Sequence, residues 1–299
     1  MFKKVCIIGC GLIGSSIARA IKKNNLSKQI VSSNRSEHTN KKVVKLNIVN
    51  DSSSDTKKMV RESDLVIIAT PLSSYKNVIL EIKNCLKTGT ILTDVGSVKK
   101  TAISLIEKNI PKNISWISSH PIAGTEESGP EAGFADLFKK RWCILTPSNQ
   151  AKNKDIKLLE KFWIKLGSQV DVMNVKQHDY VLSITSHMPH LIAYNIVNTT
   201  LNVKKKKNQD IIKYSAGGLR DFTRIAASNP IMWRDIFIQN RKNTSKMIDK
   251  FIKNLKDLKK AIKNKNEKKL EKIFTKTKKI RKEIVAAGQD IGKPDFGRK

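Results

Sequence analysis

The start of the chain contains the feature that most restricts the fold. An apolar run, Lys3–Ile8, leads into glycines at positions 9, 11 and 14 with the spacing G-x-G-x-x-G, and the segment Ser15–Lys23 has helical periodicity. In this pattern the first glycine permits a tight turn, the second lets the backbone approach a pyrophosphate, and the third lets the helix pack on the strand. The amino terminus of the helix then faces the pyrophosphate with N–H groups and the positive end of its dipole. The order of strand, glycine turn and helix therefore predicts a dinucleotide-binding unit.

Short apolar runs and helical segments alternate through the first half of the chain. This alternation predicts an α/β fold of the Rossmann type, with a doubly wound, mostly parallel sheet. Ligands of such sheets bind beyond the carboxyl ends of the strands, where we expect Thr70-Pro71, Gly96-Ser97 and His120. The other predicted strands are Gln29–Ser33, Asp64–Thr70, Thr90–Val95, Ile114–Ser118, Arg141–Thr146 and Gln169–Met173, and the predicted helices include Asn77–Asn84 and Ile156–Leu166.

The end of the second predicted strand bears on the choice of cofactor. NAD-binding units usually carry an acidic residue about 20 positions after the glycines, where it binds the ribose 2′-hydroxyl. Here Ser33-Asn34-Arg35-Ser36 has no acid at the strand tip. Arg35 could bind a 2′-phosphate or could be a solvated surface residue, so the sequence leans toward NADP and leaves NAD open. The residues predicted to contact the cofactor are Gly9, Gly11, Leu12, Ile13, Gly14, Asn34, Arg35, Thr70 and Pro71.

The pattern changes near Asn174, where long helical segments replace the alternation. Apolar residues at 3-4 spacing over 248–262 and again over 270–284 predict a helical hairpin. Its apolar seam could pack within one chain, but we favour a homodimer interface. The tail Ala286–Lys299 is predicted to be irregular. The two predicted domains are a nucleotide-binding Rossmann domain over 1–174 and an all-α domain for substrate binding and dimerisation over 175–299.

The chain is strongly basic, with 58 Lys and Arg against 26 Asp and Glu and a formal net charge of +32. The positive charge is mostly lysine and is spread along the whole length, and arginine, which reads base edges better, is scarce. No zinc-finger, homeodomain or RNP-like signature accompanies it. We therefore interpret the charge as solvent-exposed, expect no nucleic-acid partner, and expect the positive field to attract an anionic small-molecule substrate.

Cysteine usage and hydropathy indicate the compartment. No apolar run of about 18 residues is present, so we expect no membrane span and no membrane partner. The four cysteines form no Cys-x-x-Cys pair. They are typical of reduced thiols in a cytoplasmic protein, and neither zinc nor another metal is expected.

One of the five histidines is a candidate general base. His120 lies at a predicted strand end, within the polar stretch Ser118–Gly129, which we interpret as a loop that carries polar groups to a site. A histidine has a pKa near neutrality and can accept a proton there. His178 precedes a helix and is a candidate cap. His187 and His190 share a helix face and have no further ligand at metal spacing, so packed helix histidines are expected.

Arg224 is the candidate for binding an anionic group. It lies in the segment Gly217–Ala226, one helical turn after Asp221. A guanidinium can bind a carboxylate through two hydrogen bonds, and Asp221 could orient it. The alternative is an exposed helix ion pair of little energetic value.

Five motifs occur in an order typical of one enzyme family. They are the glycines of Gly9–Gly14, Asp94-Val95-Gly96-Ser97-Val98-Lys99, His120-Pro121-Ile122-Ala123-Gly124-Thr125-Glu126, Ser186-His187-Met188-Pro189-His190, and Asp221-Phe222-Thr223-Arg224-Ile225-Ala226 continuing to Met232-Trp233-Arg234-Asp235. Together they resemble the prephenate/arogenate (cyclohexadienyl) dehydrogenases of tyrosine biosynthesis, over roughly Lys3 to Lys282. The resemblance implies NAD(P)-dependent oxidative decarboxylation of prephenate to 4-hydroxyphenylpyruvate and CO2. It also implies a homodimer formed by the helical domain, with the active site between the domains.

The resemblance also implies roles for single residues. His120 would accept the proton of the ring hydroxyl, and Ser97 would hydrogen-bond near that hydroxyl. Arg224 would hold a substrate carboxylate, and His190 would lie near the substrate side chain, where tyrosine would compete. The other groups assigned to the substrate side, as supporting or gating residues, are Thr125, Glu126 and Trp233.

Other functions remain open from the sequence. One alternative is arogenate dehydrogenase. Arogenate differs from prephenate only in having an amino group in place of the keto group of the side chain, and no residue here decides between the two substrates. A β-hydroxyacid or imine-reductase-type dehydrogenase would leave the His120 segment unexplained. From another class, a basic nucleic-acid-binding protein with a vestigial Rossmann domain would bind duplexes at physiological salt. The sequence leaves open whether tyrosine inhibits. Because no mutase segment precedes Met1 and no regulatory ACT domain fits after Lys282, any such inhibition is expected to act at the active site.

Overall fold

The first half of the protein forms one eight-stranded sheet. The computed structural model describes residues 1–207 and 212–287. The strands run in the spatial order β3-β2-β1-β4-β5-β6-β7-β8, and all neighbours are parallel except β6 and β7. This confirms the predicted doubly wound, mostly parallel α/β fold. The strands are β1 (Phe2–Ile8), β2 (Ser27–Ser33), β3 (Asp51–Ser53), β4 (Leu65–Ile68), β5 (Ile91–Asp94), β6 (Ser115–Pro121), β7 (Trp142–Pro147) and β8 (Gln169–Val172).

The helices follow the strands and then continue alone. Central strands such as β4 are buried on both faces, which explains their continuous apolar sequences. The core also includes Phe162 and Trp163, which pack edge to face on each other. The helices are α1 (Leu12–Lys23), α2 (Glu37–Lys45), α3 (Thr56–Val60), α4 (Tyr75–Ile82), α5 (Lys100–Glu107), α6 (Asn153–Lys165), α7 (Val175–Leu182), α8 (Met188–Lys207), α9 (Gly217–Ala226), α10 (Pro230–Gln239), α11 (Arg241–Lys263) and α12 (Glu267–Ala286).

The three glycines after β1 have different structural constraints. Gly9 has a φ of 95°, in the left-handed region that favours glycine. A Cβ atom on Gly14 would lie 2.1 Å from the carbonyl oxygen of Gly9, so α1 can approach β1 this closely only without a side chain there. A Cβ atom on Gly11 would meet no atom within 4 Å. The pattern therefore shapes the turn, closes the helix on the strand and leaves open space at the helix amino terminus.

Strand β6 corrects one sequence prediction, because His120 lies inside the strand and not in a loop beyond it. β6 extends to Pro121, is buried throughout, and pairs antiparallel with β7, with His120 opposite Ile144. Two of its serines are satisfied by the neighbouring strand β5, since Ser119 Oγ lies 2.6 Å from Thr93 Oγ1 and Ser118 Oγ donates to Asp94. The polar composition that suggested a loop therefore reflects buried hydrogen bonds within the sheet.

Contacts within the chain divide it into two compact units. The first contains Met1–His187 and Ala227–Arg241, and the second contains Met188–Ala226 and the described part of Lys242–Lys299. Helices α7 and α10 thus group with the sheet. One reason is that Asp235 of α10 accepts a hydrogen bond from the backbone N–H of Ser73, just after β4. The predicted division into a nucleotide-binding domain over 1–174 and a helical domain over 175–299 stays a prediction.

The second unit is helical. It contains α8, α9, α11 and α12, and the last two span the two segments predicted as a hairpin. The predicted irregular tail lies outside the described residues from position 288 onward. No helix in the described part of the chain is long and apolar enough to cross a membrane.

Candidate active site

Asp94 organises the carboxyl edge of the central strands. It is the last residue of β5 and is fully buried. Its carboxylate accepts hydrogen bonds from Tyr75 Oη at 2.9 Å, from the backbone N–H of Gly96 at 3.0 Å, and from Ser118 Oγ in β6. A buried carboxylate is tolerated only when its oxygens are satisfied in this way. Asp94 therefore holds the segment after β5 against the neighbouring strand.

Lys99 supplies the positive charge that matches Asp94. Its side chain is fully buried, and its Nζ donates to both carboxylate oxygens of Asp94, at 3.1 and 2.9 Å. It also donates to the carbonyl oxygen of Ser119, the residue before His120. Burial lowers the pKa of Lys99, while the Asp94 carboxylate acts in the opposite direction. The sequence alone predicts no role for Lys99, although this residue ends the motif that begins at Asp94.

His120 is enclosed in this edge of the sheet. His120 is only 7% exposed, and its Nδ1 lies 2.9 Å from Nε2 of His178. Burial, followed by electrostatic interaction with His178 and Lys99, holds the pKa of His120 well below its ordinary value. The imidazole is therefore neutral at physiological pH and has one nitrogen free of a proton.

His178 and Asp179 extend the site beyond what the sequence predicted. His178 was a candidate cap, but it lies within α7 and is fully buried. Its Nδ1 lies 2.9 Å from Asp179 Oδ1. The Asp179 carboxylate also accepts hydrogen bonds from the backbone N–H groups of Lys99 and Lys100, at 2.9 and 3.0 Å, where α5 begins. No local pattern marks these two residues, because their partners are distant in sequence.

The glycine turn is held by Asn34. This side chain accepts a hydrogen bond from the backbone N–H of Cys10 at 2.6 Å and donates to Asn40 Oδ1 at 3.0 Å. Asn34 is buried, so its amide shapes the turn, whereas Arg35, the next residue, is exposed. The open space beside Gly11 and the uncapped start of α1 fit a dinucleotide pyrophosphate.

The remaining predicted cofactor contacts lie at the same edge. Leu12 and Ile13 form the half-buried first turn of α1. Thr70 and Pro71 follow β4, and a Cβ atom on Gly9 would lie 2.9 Å from Thr70 Cγ2. The structure thus brings the ends of β1 and β4 together, as a nucleotide site of this fold requires.

The predicted substrate-side residues are distributed over both units. Ser97 is half-buried between β5 and α5, and Thr125 and Glu126 are exposed after β6. Trp233 is buried in α10, with its ring centroid 6.2 Å from that of His187. In the second unit, His190 lies near the start of α8, and Arg224 in α9 is exposed, with its guanidinium 3.9 Å from Asp221.

The arrangement can perform proton transfer next to a dinucleotide. A neutral imidazole at the carboxyl edge of a nucleotide-binding sheet can act as a general base. Among residues 1–207 and 212–287, no three His, Cys, Asp or Glu side chains are grouped so as to hold a metal ion. Fold and site together define a nucleotide-dependent dehydrogenase of the Rossmann class.

Comparison with known proteins identifies the family. Residues 17–172 match the nucleotide-binding domain of prephenate dehydrogenase, and residues 174–276 match its dimerization domain. The chain belongs to the prephenate dehydrogenase family, and it is an NAD(P)-dependent oxidoreductase. The resemblance inferred from the sequence motifs is thereby confirmed.

Relatives match over most of the chain. The cyclohexadienyl dehydrogenase of Zymomonas mobilis is 39% identical over 88% of this chain and 89% of its own length. The prephenate dehydrogenase of Bacillus subtilis is 30% identical over 93% of this chain and 75% of its own length. The crystal structure of Aquifex aeolicus prephenate dehydrogenase with hydroxyphenyl propionate and NAD+ aligns with a TM-score of 0.88 and 32% identity, over 95% of this chain and 99% of that one.

Proposed function

We propose that this enzyme catalyses the NAD(P)-dependent oxidative decarboxylation of prephenate to 4-hydroxyphenylpyruvate and CO2. The observation that carries the proposal is the neutral, buried imidazole of His120 at the carboxyl edge of the sheet that contains the glycine turn. Residues 1–174 bind the nucleotide, and residues 175–299 bind substrate and form a dimer. The names of the relatives support this reaction.

The proposed chemistry uses one proton acceptor and one anion-binding group. His120 accepts the proton of the ring hydroxyl, and Ser97 hydrogen-bonds to that hydroxyl. When bound, the oxidised nicotinamide supplies the acceptor for the hydride that leaves the same ring carbon. The electron pair released with CO2 then completes the aromatic ring, and the ring oxygen takes a proton back from His120 to become the hydroxyl of the product. Arg224 binds a substrate carboxylate, His190 contacts the substrate side chain, and Thr125, Glu126 and Trp233 support the substrate site.

Arogenate is the alternative substrate, and NADP is the favoured cofactor. The first relative is named for cyclohexadienyl substrates as a class, which keeps arogenate in consideration. Arg35 is exposed at the tip of β2, where it can reach a 2′-phosphate, and no acid occupies that tip.

One absorbance experiment tests substrate and cofactor together. Reduction of nicotinamide is followed at 340 nm with prephenate or arogenate and with NAD or NADP, in four combinations. We expect the highest kcat/KM with prephenate and NADP. A higher kcat/KM with arogenate would identify arogenate as the preferred substrate. A higher kcat/KM with NAD would overturn the role of Arg35. No turnover in any combination would refute the proposed activity.

Dimerisation through the hairpin is proposed from its uncovered seam. Apolar seam residues remain exposed, with Leu255 at 53%, Ile262 at 63% and Ile280 at 51%. An interface would bury this surface at roughly 25 cal/mol per Å². Leu255→Lys should raise the monomer fraction in analytical ultracentrifugation, whereas Ile164→Lys, an exposed apolar position on α6, should not. A wild-type monomer at micromolar concentration would refute the dimer.

Two further properties belong to the proposal. Tyrosine should compete with substrate, because the Aquifex relative binds hydroxyphenyl propionate, which has a phenol ring on a three-carbon acid as tyrosine has. Inhibition that remains at saturating substrate would exclude competition. A cytoplasmic location is supported by four free cysteines, and fractionation with a periplasmic marker would contradict it.

A further inference from the structure

The proposed base is the first of three buried residues that are connected by hydrogen bonds. His120 Nδ1 lies 2.9 Å from His178 Nε2, and His178 Nδ1 lies 2.9 Å from Asp179 Oδ1. All three belong to the first unit, and all three are buried. We propose that His178 and Asp179 are positioning residues that set the tautomer of His120 and share its proton. This inference rests on the proposed role of His120 as the base.

The direction of the hydrogen bonds is fixed at the carboxylate end. Burial acts to raise the pKa of Asp179, but hydrogen bonds from His178 and from the backbone N–H of Lys99 lower it below its ordinary value. An ionised carboxylate can only accept hydrogen bonds. His178 Nδ1 must therefore carry the hydrogen that points to Asp179.

The hydrogen bond to His178 determines which nitrogen of His120 carries the hydrogen. The pKa of His178 is lowered by burial, although Asp179 opposes this effect, so His178 is neutral and its Nε2 is an acceptor. Nδ1 of His120 must then donate to His178 Nε2. The unprotonated nitrogen of His120 is Nε2, which is the nitrogen left to accept the proton of a substrate hydroxyl. These hydrogen bonds therefore leave His120 Nε2 unprotonated before substrate binds.

The charges around the two imidazoles favour movement of the proton. Lys99 disfavours a positive charge on both imidazoles, and His187 further disfavours one on His120, whereas the Asp179 carboxylate favours one on His178. Asp94 also favours charge on His178, and Cys143 lies near Lys99 as a neutral thiol whose pKa is raised by burial. The positive charge produced by catalysis is therefore better held on His178.

The proposed step balances in protons and electron pairs. The substrate O–H bond breaks, and its proton forms a bond to the lone pair of His120 Nε2. The Nδ1–H bond of His120 then breaks, and that proton bonds to the lone pair of His178 Nε2. His120 returns to neutrality, and the imidazolium of His178 is stabilised by Asp179.

Asp179→Asn tests the tautomer directly. In Asp179, Oδ1 accepts from His178 Nδ1 and from the backbone N–H of Lys99, and Oδ2 accepts from the backbone N–H of Lys100. In Asp179→Asn we expect the single remaining oxygen to stay with the backbone N–H of Lys100, which places the NH2 group opposite His178 Nδ1. Both imidazoles then change to the other tautomer, in which His120 Nε2 carries the proton. We expect kcat to fall on the order of 10²–10⁴-fold, with nucleotide affinity unchanged, as for other bases placed in the wrong tautomer.

Asp64→Asn is the matched control. The Asp64 carboxylate also accepts from two consecutive backbone N–H groups, of Lys3 and Lys4, and from a cationic partner, Lys87. It lies at the amino edge of the sheet, before β4. A purely structural effect of removing such a carboxylate should appear in both variants, whereas the loss of kcat should appear only in Asp179→Asn.

A spectroscopic measurement separates positioning from stability. Nitrogen-15 NMR of histidine-labelled protein without substrate reports which ring nitrogen carries the proton. We expect His120 protonated at Nδ1 in the wild type and in Asp64→Asn, and at Nε2 in Asp179→Asn. A wild-type His120 protonated at Nε2, or a tautomer unchanged in Asp179→Asn, would overturn the inference. Because this readout needs no substrate, it stands apart from a failure of the proposed activity.

His178→Gln separates orientation from proton sharing. The Gln oxygen can accept from His120 Nδ1, so the tautomer should be kept, but Gln cannot hold the proton. We expect kcat to fall by roughly tenfold, the value of one charge-assisted hydrogen bond, with KM little changed. Wild-type kcat in His178→Gln would refute proton sharing, and this variant also provides a test if Asp179→Asn fails to fold.

Discussion

At the scale of single residues, Lys99 acts on two buried groups of the site. It donates to the Asp94 carboxylate, which also accepts from Tyr75 and from the backbone N–H of Gly96. His120, one strand away, is kept neutral by burial and by neighbouring groups that include the same Lys99. The lysine thus satisfies one group and disfavours a positive charge on the other. This division of roles explains how a neutral imidazole can remain available beside a buried cation.

Replacement of His120 tests its role as the base. His120→Asn keeps a polar side chain but removes the proton acceptor, so kcat should fall by about 10²–10⁴-fold. Nucleotide binding should persist, which fluorescence titration can measure. His38→Asn, at an exposed position on α2, is the control and should retain full turnover. Near-normal kcat in His120→Asn would exclude this residue as the base.

Arg224 should affect substrate binding more than turnover. Its guanidinium is more than half exposed, and its ion pair with Asp221 spans 3.9 Å, so its removal should cost little stability. Arg224→Ala should raise KM by roughly 10–100-fold, as expected for loss of a charge-assisted pair. Arg224→Lys keeps the charge without the planar fork and should give an intermediate KM. An unchanged KM in Arg224→Ala would remove the residue from the substrate site.

At the scale of elements, the glycine turn combines two separable functions. Gly14 lets α1 approach β1, whereas Gly11 borders open space. Gly14 meets a requirement of packing within the protein, whereas the open space at Gly11 is what close approach of a ligand to the turn would require. Alanine substitutions at the two positions should therefore have different consequences.

Gly14→Ala and Gly11→Ala form a matched pair. The first places a Cβ atom 2.1 Å from a backbone oxygen and should cost at least about 3 kcal/mol of unfolding free energy. The second should change stability by less than about 1 kcal/mol and weaken nucleotide binding by roughly tenfold or more. Chemical denaturation and nucleotide titration measure both effects. Equal loss of stability in the two variants would contradict the assignment.

The elements also show which parts of the protein the sequence could predict. The β1–turn–α1 unit was predictable because its constraints act between neighbouring residues. β6 was misjudged because Ser118 and Ser119 bond to Asp94 and Thr93, which precede them by 24 and 26 positions. His178 was missed because it meets His120 across 58 positions. Polar residues are informative only when their partners are known, and those partners come from tertiary structure.

At the scale of the whole molecule, the net charge of +32 acts mainly in solution. A positive field increases the encounter rate of anionic substrate and nucleotide, and salt reduces this effect. It also opposes the folded state through repulsion between surface charges. Acidification adds positive charge, so surface repulsion and protonation of buried groups both destabilise the protein at low pH. Salt screens only the first of these effects well.

The free energy of unfolding should therefore decrease as the pH is lowered below about 6.5, even in high salt. The pKa values of His120 and His178 are lowered in the folded state, so the unfolded chain, with histidine pKa values near 6.5, binds more protons in this range. Stability then rises with pH across this window, by up to about 1.4 kcal/mol per pH unit for each histidine. Asp179, whose pKa is also lowered, adds a further loss near pH 4 and below. Denaturant unfolding at pH 5, 6 and 7 in 0.5 M salt measures the slope, and His120→Asn should reduce it. A slope of zero, or one that salt abolishes, would mean that surface charge alone causes the pH dependence.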